Sequence, residues 1–132
     1  MRLIPVSSHQ HSVMIDITSK VQSAVPEHFT DGICHIFSTH TTAGLTINEN
    51  ADPDVRSDMI HFLEKMVPWD ESLFDHYEGN SAAHIKSSLM GFAQTVPVKN
   101  GKLVLGTWQG IYLCEFDGPR DRTVSVSFIP GT

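Results

Sequence analysis

Side chains that take part in chemistry are concentrated in three short windows of this 132-residue chain. The windows cover residues 40–50, 76–84 and 106–120, and they hold imidazoles, carboxamides, carboxylates and an arginine among glycines and turn residues. Such side chains are poor core material, and proteins commonly carry functional groups on loops that a rigid scaffold holds in place. We therefore expect loops from separate parts of the chain to build a polar site.

Three of the eight histidines stand where their ring nitrogens can converge without disrupting a core. His40 follows a predicted strand, His76 lies in a predicted loop, and His84 falls in the first turn of a predicted helix. A catalytic zinc site typically takes three protein ligands and keeps a fourth position open. The spacing does not match a metal clamp on one helix, so the residues alone leave a metal site and ordinary loop positions both open.

The first window ends in the polar run Asn48-Glu49-Asn50, which is followed by Asp52 and Asp54. The two aspartates are typical of a helix start, where they cap free N–H groups and complement the helix dipole. Glu49 is a candidate general base, or a partner that holds a ligating imidazole in one tautomer.

The third window offers a loop and a cation. The tripeptide Thr107-Trp108-Gln109 lies between two glycines, which is typical either of a hairpin corner with a packing tryptophan or of a loop that lines a ligand. Arg120 and Arg122 have forked donors that can bind a carboxylate or a phosphate, and Lys86 is a further candidate. For Arg120 and Arg122, a role as solvated turn charges stays open.

Composition excludes several classes of protein. A formal net charge of −6, with nine lysines and arginines and no basic run, argues against nucleic-acid binding. No apolar stretch has the length of a signal peptide or of a membrane span, so we expect a cytoplasmic protein that does not act in a membrane. Cys34 and Cys114 lie in apolar strand-like runs and are expected to be buried free thiols.

Hydrophobic periodicity predicts one α+β domain over residues 1–132, with mainly antiparallel strands and two longer helices. The Asn100-Gly101 step indicates a tight hairpin. Strands are predicted near residues 13–18, 33–39, 44–48, 96–98, 103–105, 111–116 and 123–128, and helices near 18–25, 53–66 and 81–91. The residues expected to face the core are Val55, Met59, Phe62, Leu63 and Met66 on the long helix, and Ala82, Ile85 and Leu89 on the last one.

Taken together, the windows contain recognisable motifs, namely 40–50 (HTTAGLTINEN), 52–55 (DPDV), Asn80 with 83–85 (AHI), 106–109 (GTWQ) and 116–120 (FDGPR). In this order and spacing they closely resemble the YjbQ family, an uncharacterised protein family also described as secondary thiamine-phosphate synthase. The resemblance spans essentially the whole chain.

The resemblance implies an α+β fold of sheets with helices on one side, a homotrimer, and a divalent metal site. Three imidazoles suit zinc, copper, iron or nickel more than magnesium, and zinc is the metal we expect. It also implies an activity that joins a pyrimidine diphosphate to a thiazole phosphate. The implied metal ligands are His40, His76 and His84. The family's recurrent Asn48, Glu49, Asn80, Trp108, Gln109, Asp117 and Arg120 all have counterparts here. We expect Asn48, Glu49, Gln109 and Arg120 to be catalytic, and Thr41, Asn80, Lys86, Thr107, Trp108 and Asp117 to bind substrate.

Two hypotheses follow. The first is a small metal-assisted enzyme in which the three histidines hold the ion, Glu49 acts as base or orienting partner, and Arg120 holds an anionic metabolite. The second is a non-catalytic trimeric module that binds a metal or a metabolite in the same pocket.

Overall fold

Eight strands and three helices make up the fold in a computed structural model that describes residues 1–131. Thr132, the last residue of the predicted domain, lies outside the described residues. The elements in chain order are β1 (Arg2–Ser7), β2 (Val13–Asp16), α1 (Thr18–Ala24), β3 (Gly32–Ser38), β4 (Ala43–Glu49), α2 (Pro53–Met66), α3 (Ser81–Met90), β5 (Ala93–Lys99), β6 (Lys102–Leu103), β7 (Gln109–Glu115) and β8 (Asp121–Pro130).

The strands form two antiparallel sheets. The five-stranded sheet has the order β1-β8-β3-β5-β6, and the three-stranded sheet has the order β2-β7-β4. Every paired strand runs antiparallel to its neighbour. The predicted α+β class and the mainly antiparallel sheets are therefore confirmed.

The five-stranded sheet, the three-stranded sheet and the helices α2 and α3 form three layers, with a hydrophobic core between each layer and the next. The larger core lies between the two sheets and includes Ile36 and Val126 from the five-stranded sheet and Leu45 and Leu113 from the three-stranded sheet. The smaller core lies on the other face of the three-stranded sheet, where Tyr112 and Phe116 meet residues of α2 and α3. These two helices thus cover one side only, as expected, and they leave the outer face of the five-stranded sheet uncovered.

Local signals set the element ends. The Asp52 side chain accepts a hydrogen bond from the backbone N–H of Asp54 at 2.9 Å, and Pro53 opens α2. Asn100 and Gly101 adopt positive φ angles of 52° and 74°, which confirms the predicted tight hairpin.

Strand β1 was not predicted, although Ile4 and Val6 alternate along it and are buried. The strand expected at residues 103–105 is also wrong in extent, because pairing is limited to Lys102–Leu103.

The predicted inward face of α3 is confirmed at Ala82, which is buried, but is wrong at Ile85 and Leu89. Ile85 and Leu89 are 39% and 56% exposed, whereas Ala83 and Ser87 are buried. The cause is the close approach of α3 to β4 at Gly44, where an added Cβ would lie 2.9 Å from the carbonyl oxygen of Ser87. Only small side chains fit that contact.

The residues of α2 that were predicted to face the core are only partly buried. Leu63 is buried, but Phe62 and Met66 remain 59% and 52% exposed. Among the described residues, no helix is long and apolar enough to cross a bilayer.

Both cysteines are core residues, as predicted. Cys34 and Cys114 are free thiols with no exposed surface. Burial raises the pKa of Cys34 to about 11 and that of Cys114 to about 12, so both thiols stay protonated at neutral pH.

Candidate functional site

The predicted site residues fall into two groups at opposite ends of the β4–β7 strand pair. At one end Ala43 pairs with Glu115, and at the other Glu49 pairs with Gln109. Six residue steps at about 3.4 Å each place the two ends about 20 Å apart. We call them the His40 end and the Glu49 end.

Asp117 joins two other predicted residues at the His40 end. Its Oδ2 atom accepts hydrogen bonds from Asn80 Nδ2 and from a terminal guanidinium nitrogen of Arg120, each at 2.9 Å. Arg120 Nε donates a further bond to the Asp117 carbonyl oxygen at 2.9 Å. The Asp117 side chain is 13% exposed and that of Arg120 is 51% exposed, so a mostly buried carboxylate holds an accessible cation. The structure therefore brings these three residues together, with Arg120 paired to Asp117.

His40 is fixed by strand β8. The backbone N–H of Thr123 donates to His40 Nε2 at 2.9 Å, so this nitrogen must be unprotonated and the ring proton is assigned to Nδ1. Burial and the charge of Arg122 lower the pKa of His40 below 6.5, which also favours the neutral ring. In this state the imidazole can donate a hydrogen bond from Nδ1.

A buried ion pair lies beneath this end of the sheets, and sequence reasoning missed it. Arg122 donates from Nε to Glu115 Oε1 at 2.8 Å and bonds the second carboxylate oxygen through a terminal nitrogen. The same nitrogen donates to Thr42 Oγ1 at 2.9 Å, and Ser8 Oγ donates to Glu115 Oε1 at 2.7 Å. Strand alternation is the signal that could have revealed it. Arg122 lies two residues before the buried Val124 on β8, so both side chains lie on the same face of the strand.

The ion pair orients both parts of the His40 end. Arg122 holds the loop that follows His40 through Thr42, and Glu115 Oε2 accepts the backbone N–H of Asp117 at 3.0 Å. Burial alone would raise the pKa of Glu115, but the hydrogen bonds from Arg122 and Ser8 outweigh it and lower the pKa. Glu115 is therefore ionised at neutral pH.

The loop that carries Arg120 packs closely on the segment after β1. Ser8 and Arg120 exchange two bonds, from Ser8 N to Arg120 O at 2.9 Å and from Arg120 N to Ser8 Oγ at 2.8 Å. At Gly118 an added Cβ would lie 2.1 Å from the carbonyl oxygen of Gln10. Glycine is therefore the one residue that allows this approach.

Two of the three predicted metal ligands form a pair. The rings of His76 and His84 have centroids 5.5 Å apart and are nearly perpendicular. Two imidazoles that share a zinc ion at about 2.1 Å have centroids about 5 Å apart, so this spacing suits a shared ion. Both rings line a cavity of about 500 Å³ that Phe74 and Asp75 also border.

His40 does not complete a metal site with this pair in one copy of the chain. Over residues 1–131, no group of three or more His, Cys, Asp or Glu side chains can hold a metal ion. The unprotonated nitrogen of His40 is also occupied by the Thr123 N–H. The three-histidine set does not fit a zinc ion here, and we derive no chemical step from a metal.

Two further substrate-binding candidates differ in access. Lys86 is 1% exposed, and its Nζ atom donates to Glu64 Oε1 at 2.7 Å. Its ammonium therefore joins α3 to α2 beneath the surface. Thr41 is exposed at the His40 end.

At the Glu49 end, polar side chains bond to the backbone of their own loops. Asn48 Oδ1 accepts the N–H of Glu49 at 2.7 Å, and Glu49 Oε2 accepts the N–H of Ala51 at 3.0 Å. Gln109 Oε1 accepts the N–H of Gly106 at 2.8 Å. Thr107 and Trp108 are exposed, Trp108 by 63%. One chain therefore does not bring this group to Arg120.

Comparison with known proteins gives the family of this fold and site. The family profile described as UPF0047 protein YjbQ-like matches residues 2–131. The chain belongs to the UPF0047/YjbQ family. The UPF0047 protein YugU of Bacillus subtilis is 49% identical over 130 residues, which are 98% of each chain. A UPF0047 protein of Methanocaldococcus jannaschii is 51% identical, and the match covers 94% of this chain and 90% of that protein.

Solved structures of the YjbQ family share the fold. An uncharacterised family protein from Clostridium acetobutylicum has a TM-score of 0.95 and 52% identity, covering 98% of this chain and all of the other. A conserved hypothetical protein from Thermus thermophilus has a TM-score of 0.92 and 39% identity, with the same coverage. The Clostridium protein is described as a member of the YjbQ/UPF0047 family, and neither protein is described with an activity.

Proposed function

We propose that this YjbQ-family chain is a small enzyme that binds an anionic metabolite at the His40 end. The observation that carries the proposal is the bonding of Asn80 and Arg120 to one oxygen of Asp117, each at 2.9 Å. Two of the five guanidinium N–H groups bond to Asp117, and the side chain is half exposed. The remaining donors suit a carboxylate or phosphate group.

His40 supplies a neutral hydrogen-bond donor to this site. Its Nε2 atom is occupied by the Thr123 N–H, so Nδ1–H is the group that remains for a ligand. A neutral imidazole can stabilise negative charge that develops on a reacting oxygen, and a fixed donor needs little reorganisation during the reaction. The buried Glu115–Arg122 pair fixes the loop that carries it.

The thiamine-phosphate synthase-like transfer is the specific reaction we propose to test. The bond from the pyrimidine methylene carbon to the diphosphate oxygen breaks, and diphosphate leaves with the electron pair. The methylene carbon then bonds to the thiazole nitrogen, so no proton is transferred. Arg120 and the Nδ1–H of His40 would stabilise the leaving diphosphate.

The experiment is a transfer assay of the purified full chain with the two substrates, with and without added divalent metal. We expect Arg120→Gln to lower kcat/KM about 10- to 100-fold, since it removes charged hydrogen bonds. Arg2→Gln, which changes an exposed arginine on β1, is the matched control. Absence of turnover in the wild type excludes this reaction, and equal kcat/KM values for Arg120→Gln and wild type remove Arg120 from the site.

A non-catalytic binding module is the second candidate, and one observation favours it. Glu49, the predicted general base, lies about 20 Å along the sheet from the His40 end in the same chain. Saturable binding of phosphorylated heterocycles without product would support this candidate.

The divalent metal and the homotrimer are parts of the proposal that the resemblance supplies. For the metal, the support is limited to the His76–His84 spacing of 5.5 Å. Further ligands would come from solvent or from another copy. We propose zinc as the ion and three copies as the assembly.

A further inference from the structure

A cleft of about 400 Å³ lies between helix α2 and strand β2, where β2 forms an edge of the three-stranded sheet. Helix α2 lines the cleft with Pro53, Arg56, Ser57, Ile60 and His61, which recur every three or four residues and so share one face of the helix. Residues of β2 and of the loop before it form the opposite wall. Volumes of roughly 300–1,000 Å³ are typical of small-molecule sites. We call this cavity the α2–β2 cleft.

Arg56 brings a partly buried cation to the cleft. Within residues 1–131 its side chain forms no salt bridge and donates no hydrogen bond, whereas Arg122, the other arginine that is not exposed, pairs with Glu115. The guanidinium carbon of Arg56 lies 5.7 Å from the centre of the Tyr112 ring. Such a contact uses the face of the guanidinium group and leaves its N–H donors available. A cation partly withdrawn from water without an acceptor suits a site that an anion completes.

The neutral polar side chains of the cleft also suit an anion. Gln10 on the β2 side and His61 on α2 make no side-chain hydrogen bond to the described part of the chain, so both can donate to a ligand. Among the described residues, no Asp or Glu lines the cleft, although the chain holds 15 of them against nine lysines and arginines. An anion in the cleft therefore meets donors and no repelling carboxylate in its walls.

The remaining walls of the cleft are apolar. Met14 is buried, and Val13 and Ile60 are partly buried. A ligand with both an anionic group and an apolar body contacts both kinds of wall, which an inorganic ion does not. Arg56 supplies one permanent positive charge, so it neutralises a carboxylate, whereas a phosphate dianion would keep an uncompensated charge beside the apolar walls.

We propose that the α2–β2 cleft binds a small organic monocarboxylate, with the carboxylate on Arg56 and the apolar body on Met14 and Ile60. The cleft shares no lining residue with the group formed by Asp117, Asn80 and Arg120. The inference therefore stands apart from the proposed enzyme activity.

The test is the binding of hexanoate to the full chain, followed by NMR at the methyl groups of Met14 and Ile60 and at the Nε–H of Arg56. Acetate carries the carboxylate without the apolar body, and hexanol carries the apolar body without the carboxylate. We expect hexanoate to bind saturably, with an affinity about tenfold or more above that of acetate, hexanol or inorganic phosphate, because it alone uses both kinds of wall. A phosphate affinity equal to that of hexanoate would overturn the ligand class.

Two variants test the location of the site. Arg56→Gln should lower the hexanoate affinity about tenfold or more and leave the hexanol affinity unchanged, because it removes the charge and little of the apolar wall. Ser57→Glu should have the same effect on hexanoate, because its carboxylate repels the ligand and competes for Arg56. Ser57 is exposed on α2, so this variant is the safer one for folding.

The matched controls change charge outside the cleft. Lys65→Gln removes a positive charge from an exposed position of α2, and Ser72→Glu adds a negative charge to an exposed loop. Both should bind hexanoate as the wild type does, and so should Arg120→Gln, which separates this site from the His40 end. Circular dichroism checks that each variant is folded.

Three outcomes would overturn the inference. The first is a wild type without saturable hexanoate binding. The second is unchanged binding in folded Arg56→Gln and Ser57→Glu. The third is binding that Arg120→Gln abolishes and the two cleft variants keep, which would place hexanoate at the His40 end.

Discussion

The backbone N–H of Thr123 donates a hydrogen bond to Nε2 of His40, so strand β8 fixes the tautomer of an imidazole that belongs to a loop after β3. The ring is a donor through Nδ1 and cannot use Nε2 toward a ligand while this bond exists. A residue expected to bind a metal is thereby held in a state suited to binding an anion.

We predict that acidification breaks this bond. The folded-state pKa of His40 lies below 6.5, so the unfolded chain binds the proton more readily than the folded one. The stability contributed by neutral His40 is present above pH 6.5 and is lost as pH falls through the lower folded pKa. NMR should show the Thr123 amide and the His40 ring shifting with one midpoint below 6.5. A midpoint above 6.5 would contradict this assignment.

The buried ion pair should dominate the stability of the His40 end. Arg122→Met leaves Glu115 as an unpaired buried carboxylate, so we expect a loss of about 3–5 kcal/mol in the free energy of unfolding. The double variant Arg122→Met/Glu115→Gln should recover part of that loss, because no buried charge then remains unpaired. Urea denaturation measures the free energy of unfolding of both variants. A double variant less stable than Arg122→Met would contradict this account.

The same pair predicts a loss of stability in acid. The folded-state pKa of Glu115 lies below 4.5, so its contribution is present above that pH and disappears as pH falls through the folded value. Glu115→Gln should therefore show a weaker dependence of the unfolding midpoint on pH in this range than the wild type. Equal slopes would mean that Glu115 titrates normally in the folded state.

Gly118→Ala should disrupt the Arg120 loop. The new methyl group would overlap the carbonyl oxygen of Gln10, so the backbone must shift at a cost of about 1–3 kcal/mol. Gly106→Ala is the matched control, because its Cβ would approach only the flexible side chain of Gln109, at 3.4 Å or more. Thermal unfolding measures the stability of both variants. If Gly118→Ala were as stable as Gly106→Ala, the Arg120 loop would accommodate the methyl group without loss of stability.

Zinc binding should depend on the histidine pair and not on His40. We expect His76→Ala and His84→Ala each to lower the zinc affinity about tenfold or more, because each removes one of two adjacent imidazoles. His40→Ala should leave it unchanged, and His61→Ala controls for nonspecific binding. Isothermal titration with zinc chloride gives the affinities. Equal losses of zinc affinity in the His40→Ala, His76→Ala and His84→Ala variants would instead support a site formed by all three histidines.

The strong local signals of the sequence predicted most of the fold correctly. Asp52-Pro53 opens α2 and Asn100-Gly101 forms the hairpin, because each depends on backbone preferences of a few adjacent residues. The predicted burial of Ile85 and Leu89 on α3 was wrong for a nonlocal reason. The helix approaches β4 at Gly44, a contact that hydrophobic periodicity cannot reveal.

The sequence indicated which polar residue types lie at element ends, but it predicted only part of their grouping in space. The windows correctly brought Asn80, Asp117 and Arg120 together, because turns at element ends lay close in space. They also merged Glu49 with these residues, although the β4–β7 register places it at the far end of the strand. Strand register depends on contacts between distant parts of the chain, which local sequence patterns do not contain. The same is true of the buried ion pair between Glu115 and Arg122.

The position of β8 has a consequence for biosynthesis. This strand is the last in chain order, yet it lies between β1 and β3 and pairs with both. A nascent chain therefore holds β1 without its partner until translation has passed β8 and the ribosome has released the segment. The five-stranded sheet, and with it the Thr123 bond that fixes His40, therefore cannot form before β8 has been synthesised and has left the ribosome. Chaperones that bind exposed strands can bind β1 before that point.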